Sequence, residues 1–112
     1  MRQYEIESYV TETGDAPFQA WIEDLKDSKA QIRLIARLER AAHGNFGDWK
    51  DLKGVKGLFE MRDHYGPGYR IYFSIVGQKI ILLLAGSTKQ QQDKAIARAE
   101  MYLTDYNRRM KS

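Results

Sequence analysis

Polar and apolar residues alternate at the start of the chain, where Tyr4, Ile6, Ser8 and Val10 oppose Glu5, Glu7 and Tyr9. That period of two predicts a half-exposed strand. The period then lengthens. In "TGDAPFQAWIEDLKD", Phe18, Trp21, Ile22 and Leu25 recur at helical spacing, so they mark a buried stripe. Asp15 is the expected cap, and Pro17 falls in the first turn, where its missing N–H costs nothing. Ser28 opens a second helix, with Ile32, Ile35, Ala36 and Leu38 on or near one side. Gly44, after His43, suits its left-handed end. The pair predicts an antiparallel helical hairpin. Residues 44–57, "GNFGDWKDLKGVKG", predict a loop. Three strands are expected at roughly 57–63, 69–76 and 79–86. The last, "KIILLLAG", is apolar on both faces and so central. Ser87 or Thr88, with Gln90 or Gln91 three residues on, offers a capping box for a final helix. Ile96, Ala99, Leu103 and Tyr106 are that helix's apolar stripe. The order β-α-α-β-β-β-α predicts an α+β fold with a small, mostly antiparallel sheet.

Composition mainly excludes. At 112 residues and 43% hydrophobic, the chain has material for one core, so residues 1–112 are expected to form a single domain. It has no cysteine and only two histidines, which are not clustered; neither a metal site nor a cofactor is expected. The first residues are charged and polar, with no apolar segment behind them, and no window has the length of a membrane span. A soluble, cytoplasmic protein is the expectation. A net charge of +3 and a pI near 9.2 allow a nucleic-acid partner without requiring one.

The chemistry concentrates in "LFEMRDHYGPGYRIYF", residues 58–73. Alternation puts Phe59 and Met61 on one face, with Leu58, Glu60 and Arg62 on the other. In the following strand Tyr69, Ile71, Phe73 and Ile75 oppose Arg70, Tyr72 and Ser74. Antiparallel partners share a face, so Arg62 and Arg70 are expected together. A two-residue turn at Gly77-Gln78 would pair Val76 with Lys79, Ile71 with Leu84 and Arg70 with Ala85. Lys89 then joins the arginines at one end of that face, with Ala85 and Gly86 leaving space above the backbone. Like charges opposite one another cost up to about 1 kcal/mol, so removing any of the three cations should not destabilise the fold. An anion between them would resolve the repulsion. Phosphate suits guanidinium forks best, and the final helix points its N-terminus the same way. In the alternative, Glu60 and Asp63 neutralise the arginines as surface pairs, each worth about 0–1 kcal/mol. Lys50, Lys53 and Lys56 form a basic loop, suited to an RNA backbone or simply to solvent. Lys53, Lys56, Tyr72 and Lys94 are the candidate RNA contacts. Trp21 and Trp49 read as core and loop anchor.

At these residues the sequence resembles the RelE/ParE superfamily of toxins from type II toxin–antitoxin systems, in the HigB-like "addiction module killer protein" branch. The resemblance is carried by Gly-Pro-Gly-Tyr-Arg in residues 66–70, then "IILLLAGSTKQQQDKAIARA" and the terminal helix. It implies a sheet packed by helices, and a metal-independent mRNA endoribonuclease acting on the ribosome by 2′-OH attack. Arg70 matches the arginine that stabilises the transition state, Arg62 a basic residue of the preceding strand and Lys89 one after the last strand. A cognate antitoxin, of helix-turn-helix type in this branch, is the implied partner. RelE-type members carry a tyrosine shortly after the last basic residue, and "QQQDKAIA" has none. The general base is thus unassigned, with Glu60, His64 and Tyr65 as candidates by proximity. A ParE-like gyrase poison and a non-enzymatic nucleic-acid-binding module are the alternatives.

Overall fold

The computed structural model describes residues 1–111. Among them, strands β1 (Glu5–Ser8), β2 (Trp49–Asp51), β3 (Phe59–Asp63), β4 (Tyr69–Val76) and β5 (Ile80–Thr88) form one sheet, ordered β1-β5-β4-β3-β2. Helices α1 (Pro17–Glu23), α2 (Ser28–Ala42) and α3 (Gln92–Met110) complete the described chain. Only the β1–β5 pair is parallel. The fold is the α+β arrangement that the periodicities predict, with β2 added inside the expected loop.

The sheet is covered on both faces. Phe18 and Ile22 of α1, with Ala30, Leu34, Leu38 and Ala41 of α2, pack on Met61, Ile71, Phe73 and Ile81. On the opposite face Ala95, Ala99 and Leu103 of α3 pack on Leu58, Tyr72, Leu82 and Leu84. Residues from alternate positions of one strand thus enter different cores, which explains why β5 is apolar on both faces from Ile80 to Ala85.

Local capping differs from expectation in two places. Asp15 does not cap α1; Ala16 stands at that position, and Asp15 closes a small loop with Thr11 and Thr13. No side chain caps α3 either: β5 runs on to Thr88, and a 3₁₀ turn, Lys89–Gln91, leads into the helix. By contrast α2 has a conventional start and stop. Asp27 accepts from the N–H groups of Lys29 and Ala30, while Gly44 (φ +94°) and Asn45 donate back to Ala41 and Arg40. Its buried stripe is Ala30, Leu34, Leu38 and Ala41, so Ile32 and Ile35 face solvent.

The β4–β5 register is shifted from the two-residue turn. Val76 pairs with Ile80 across Gly77, Gln78 and Lys79, and a bulge between Tyr72 and Phe73 absorbs Leu84 on β5. Arg70 therefore lies opposite Ser87, not Ala85. Gly86 lies opposite Ile71, on the other face, and the space above it is filled by the Trp21 ring.

Candidate functional site

The β3–β4 ladder places Arg62 directly opposite Arg70. The two cations then part company. Arg70 is 5% exposed; its Nε lies 3.3 Å from Oε1 of the fully buried Glu60 and 3.4 Å from Oε1 of Gln92. Both Glu60 oxygens and Arg70 Nη1 are buried without a hydrogen-bond partner among the described residues. This is neither the open anion site nor the surface pair that the alternation suggested. A buried pair of this kind makes each charge depend on the other, so Arg70 cannot be removed without cost.

Tyr72, opposite Glu60, is likewise buried, and its hydroxyl bonds Ser87 Oγ at 3.1 Å. Burial above all, with Glu60 nearby, pushes its pKa up to about 12. The ring presents no surface to RNA, which corrects its place among the candidate contacts.

Arg62 is the accessible arginine, with its side chain 31% exposed and Nη2 on Asp48 Oδ1 at 3.1 Å. The other oxygen of Asp48 lies 3.0 Å from Nε2 of His64, whose side chain is 75% exposed. Burial alone would raise the Asp48 carboxyl, but the hydrogen bonds from Arg62 and His64, with the Arg62 charge, outweigh it and hold the pKa below the usual carboxylate value. The segment carrying Asp48 is itself clamped. Arg37 of α2 donates to the backbone carbonyls of Arg62 (2.6 Å), Phe46 (3.1 Å) and Asp48 (3.2 Å), and the Arg62 N–H donates to the Asp48 carbonyl at 2.9 Å.

Lys89 is exposed, and its backbone N–H donates to the Gly68 carbonyl at 3.0 Å. The end of β5 is thereby tied to the β3–β4 turn. Gly68 has φ +82°, and a Cβ there would come within 3.3 Å of Lys89 Cβ; the turn needs glycine for both reasons. Lys94 is exposed in the first turn of α3. Lys53 and Lys56 are exposed, but they lie in the turn before Phe59, at the far end of β3 from Arg62. The strand from Phe59 to Arg62 alone spans about 10 Å, and both lysines lie beyond it.

Asp63 points to the other face, as its place in the alternation requires. Its carboxylate is buried 3.0 Å from Arg33 Nη2 and accepts from the Tyr65 N–H. Burial would raise its pKa, yet the Arg33 and Tyr65 hydrogen bonds and the Arg33 and Arg37 charges bring it below the ordinary value. It neutralises neither Arg62 nor Arg70. Sequence reading missed Asp48 and Arg37 as members of the site. Asp48 sits in a Gly/Asp/Lys-rich stretch that carries no period, and an arginine on a helix signals nothing about which carbonyls it will reach.

No protein-family model matches the chain. An uncharacterized protein of Haemophilus influenzae is 38% identical over 84 residues, covering 75% of this chain and 83% of the relative. The chain belongs to one family with that protein.

Proposed function

We propose that the chain is the toxin of a type II toxin–antitoxin pair, acting in the cytoplasm as a ribosome-dependent, metal-independent mRNA endoribonuclease. The observation that supports this best is Arg62 opposite Arg70 at the end of the β3–β4 ladder where Gly68 tethers Lys89. Arg62 and Lys89, the accessible cations, contact the phosphate. Arg70 is held beneath by Glu60 and fixes the floor of the site. Preorganised cations of this kind stabilise charge developing on a phosphorane-like transition state, by about 3–4 kcal/mol per donor. Exposed Lys94 extends the basic surface along α3. A small antitoxin with a helix-turn-helix domain neutralises the toxin.

The closed Arg70–Glu60 pair favours a second reading, a ParE-like gyrase poison, which needs no cluster of free cations. One assay separates the two. Purified protein is given either programmed ribosomes or gyrase with supercoiled DNA. Message cut only when ribosomes are present supports the first reading; trapped gyrase–DNA breaks with intact message support the second.

A further inference from the structure

Cleavage of RNA by its own 2′-OH is faster when a side chain accepts the proton, and the groups around Arg62 sort by accessibility. Glu60 is fully buried against Arg70. Tyr72 is buried with its hydroxyl on Ser87. Asp63 is buried on the other face with Arg33, and the ring of Tyr65 lies 5.0 Å beneath that same guanidinium. Asp48 has one oxygen on Arg62 and the other on His64.

His64 is the most exposed of them. It follows Arg62 by two positions, one residue past the end of β3, and both side chains reach Asp48. Its side chain is 75% exposed, and Nε2 lies 3.0 Å from Asp48 Oδ2. An ionised carboxylate only accepts, so Nε2 of the neutral ring carries the proton and Nδ1 keeps a lone pair. No hydrogen bond reaches Nδ1 among the described residues. The same carboxylate holds Arg62, and Arg37 clamps the backbone beneath it. One anchored aspartate thus orients a base and a phosphate contact together.

We propose that His64, oriented by Asp48, is the proton acceptor for cleavage of an RNA strand bearing a 2′-OH next to the scissile phosphate. This rests on the endoribonuclease reading above. Nδ1 takes the 2′-OH proton, and the oxygen's electron pair forms the new bond to phosphorus. The P–O5′ bond breaks, and its electron pair leaves on the 5′ oxygen, which takes a proton from water. The products are a 2′,3′-cyclic phosphate and a 5′-hydroxyl, and the imidazolium releases its proton to solvent.

The test uses the full chain and ribosomes carrying a defined mRNA, in single turnover at saturating protein. His64→Ala is expected to cut about 100-fold more slowly or worse, on the scale of a lost general base, with ribosome binding and melting temperature unchanged. Added imidazole should recover part of the rate. His64→Asn, which keeps a donor toward Asp48 but has no basic nitrogen, should stay slow. A wild-type rate in His64→Asn would overturn the assignment while leaving the endoribonuclease reading standing. So would a His64→Ala defect that disappears at saturation, since that is a binding contact. A wild-type chain that cuts no message overturns both.

Discussion

A charge with no water around it is held in place by its partner, and Arg70 is in that position. Truncating it leaves Glu60 buried without compensation, a change that typically costs about 3–5 kcal/mol. Arg70→Ala should therefore unfold well before wild type in urea, while Arg70→Met with Glu60→Leu should recover most of the loss. Arg62→Ala and Lys89→Ala remove accessible cations and should stay within about 1 kcal/mol. Equal stability of all three alanine variants would contradict the buried pair. A second residue-scale prediction concerns Gly86, over which Trp21 lies. Gly86→Ala forces a methyl group into that ring and should cost about 1–3 kcal/mol by the same measurement, the range for overpacking a core. The sequence made the faces of β3 and β4 legible, since alternation fixes which residues share a side; Arg62 beside Arg70 followed from that alone. It did not reveal that Glu60 would be sealed, because α3, which supplies Gln92 and covers that face, begins 32 residues on.

Among the elements, α2 and its clamp govern how well the site is held. Its end is a Schellman motif in which Gly44 adopts a left-handed conformation, and an added Cβ would run into Gln3. Gly44→Ala should lower stability by about 1–2 kcal/mol, the cost of that conformation for a residue with a side chain. Arg37→Ala removes three hydrogen bonds from a charged donor to the 46–48 segment and the Arg62 carbonyl. A loss of about 1.5–3 kcal/mol is expected, together with slower RNA cleavage, because Asp48 would no longer be fixed. Thermal melts with a cleavage assay would show both; intact cleavage in a folded Arg37→Ala variant would contradict the clamp. Helix boundaries were readable from Ser28 and Gly44, but the buried stripe was not. Ile32 and Ile35 outrank Ala30 and Ala41 in hydrophobicity, yet the small alanines face the sheet. The register of β5 was also illegible, since a strand apolar on both faces constrains pairing weakly and a bulge can absorb Leu84.

At the scale of the whole molecule, carboxylates tie the two layers of helices to the sheet. Asp63 joins β3 to α2 through Arg33, and Asp105 joins α3 to the end of β1 through Tyr9. The Tyr9 hydrogen bond first, then those of Arg108, hold Asp105 below the usual value; Asp63 is held below it as described. A depressed folded pKa contributes stability that is present above the unfolded value, near pH 4, and is lost as pH falls through the folded one. Asp63→Asn should thus be less stable than wild type at neutral pH, and the gap should narrow as pH drops below about 4. Denaturant midpoints across that range would show a constant gap if Asp63 made no such contribution. The overall α+β layout was legible because it rests on periods of hydrophobicity, whereas these ties join residues far apart in sequence and leave no local pattern. The functional account stands or falls on the chemistry of a cut message. Ribosomes with a defined mRNA, incubated with the purified chain, should yield fragments ending in a 2′,3′-cyclic phosphate, and far fewer with Arg62→Ala. Fragments ending in a 3′-hydroxyl, or equal cutting by a folded Arg62→Ala variant, would contradict it.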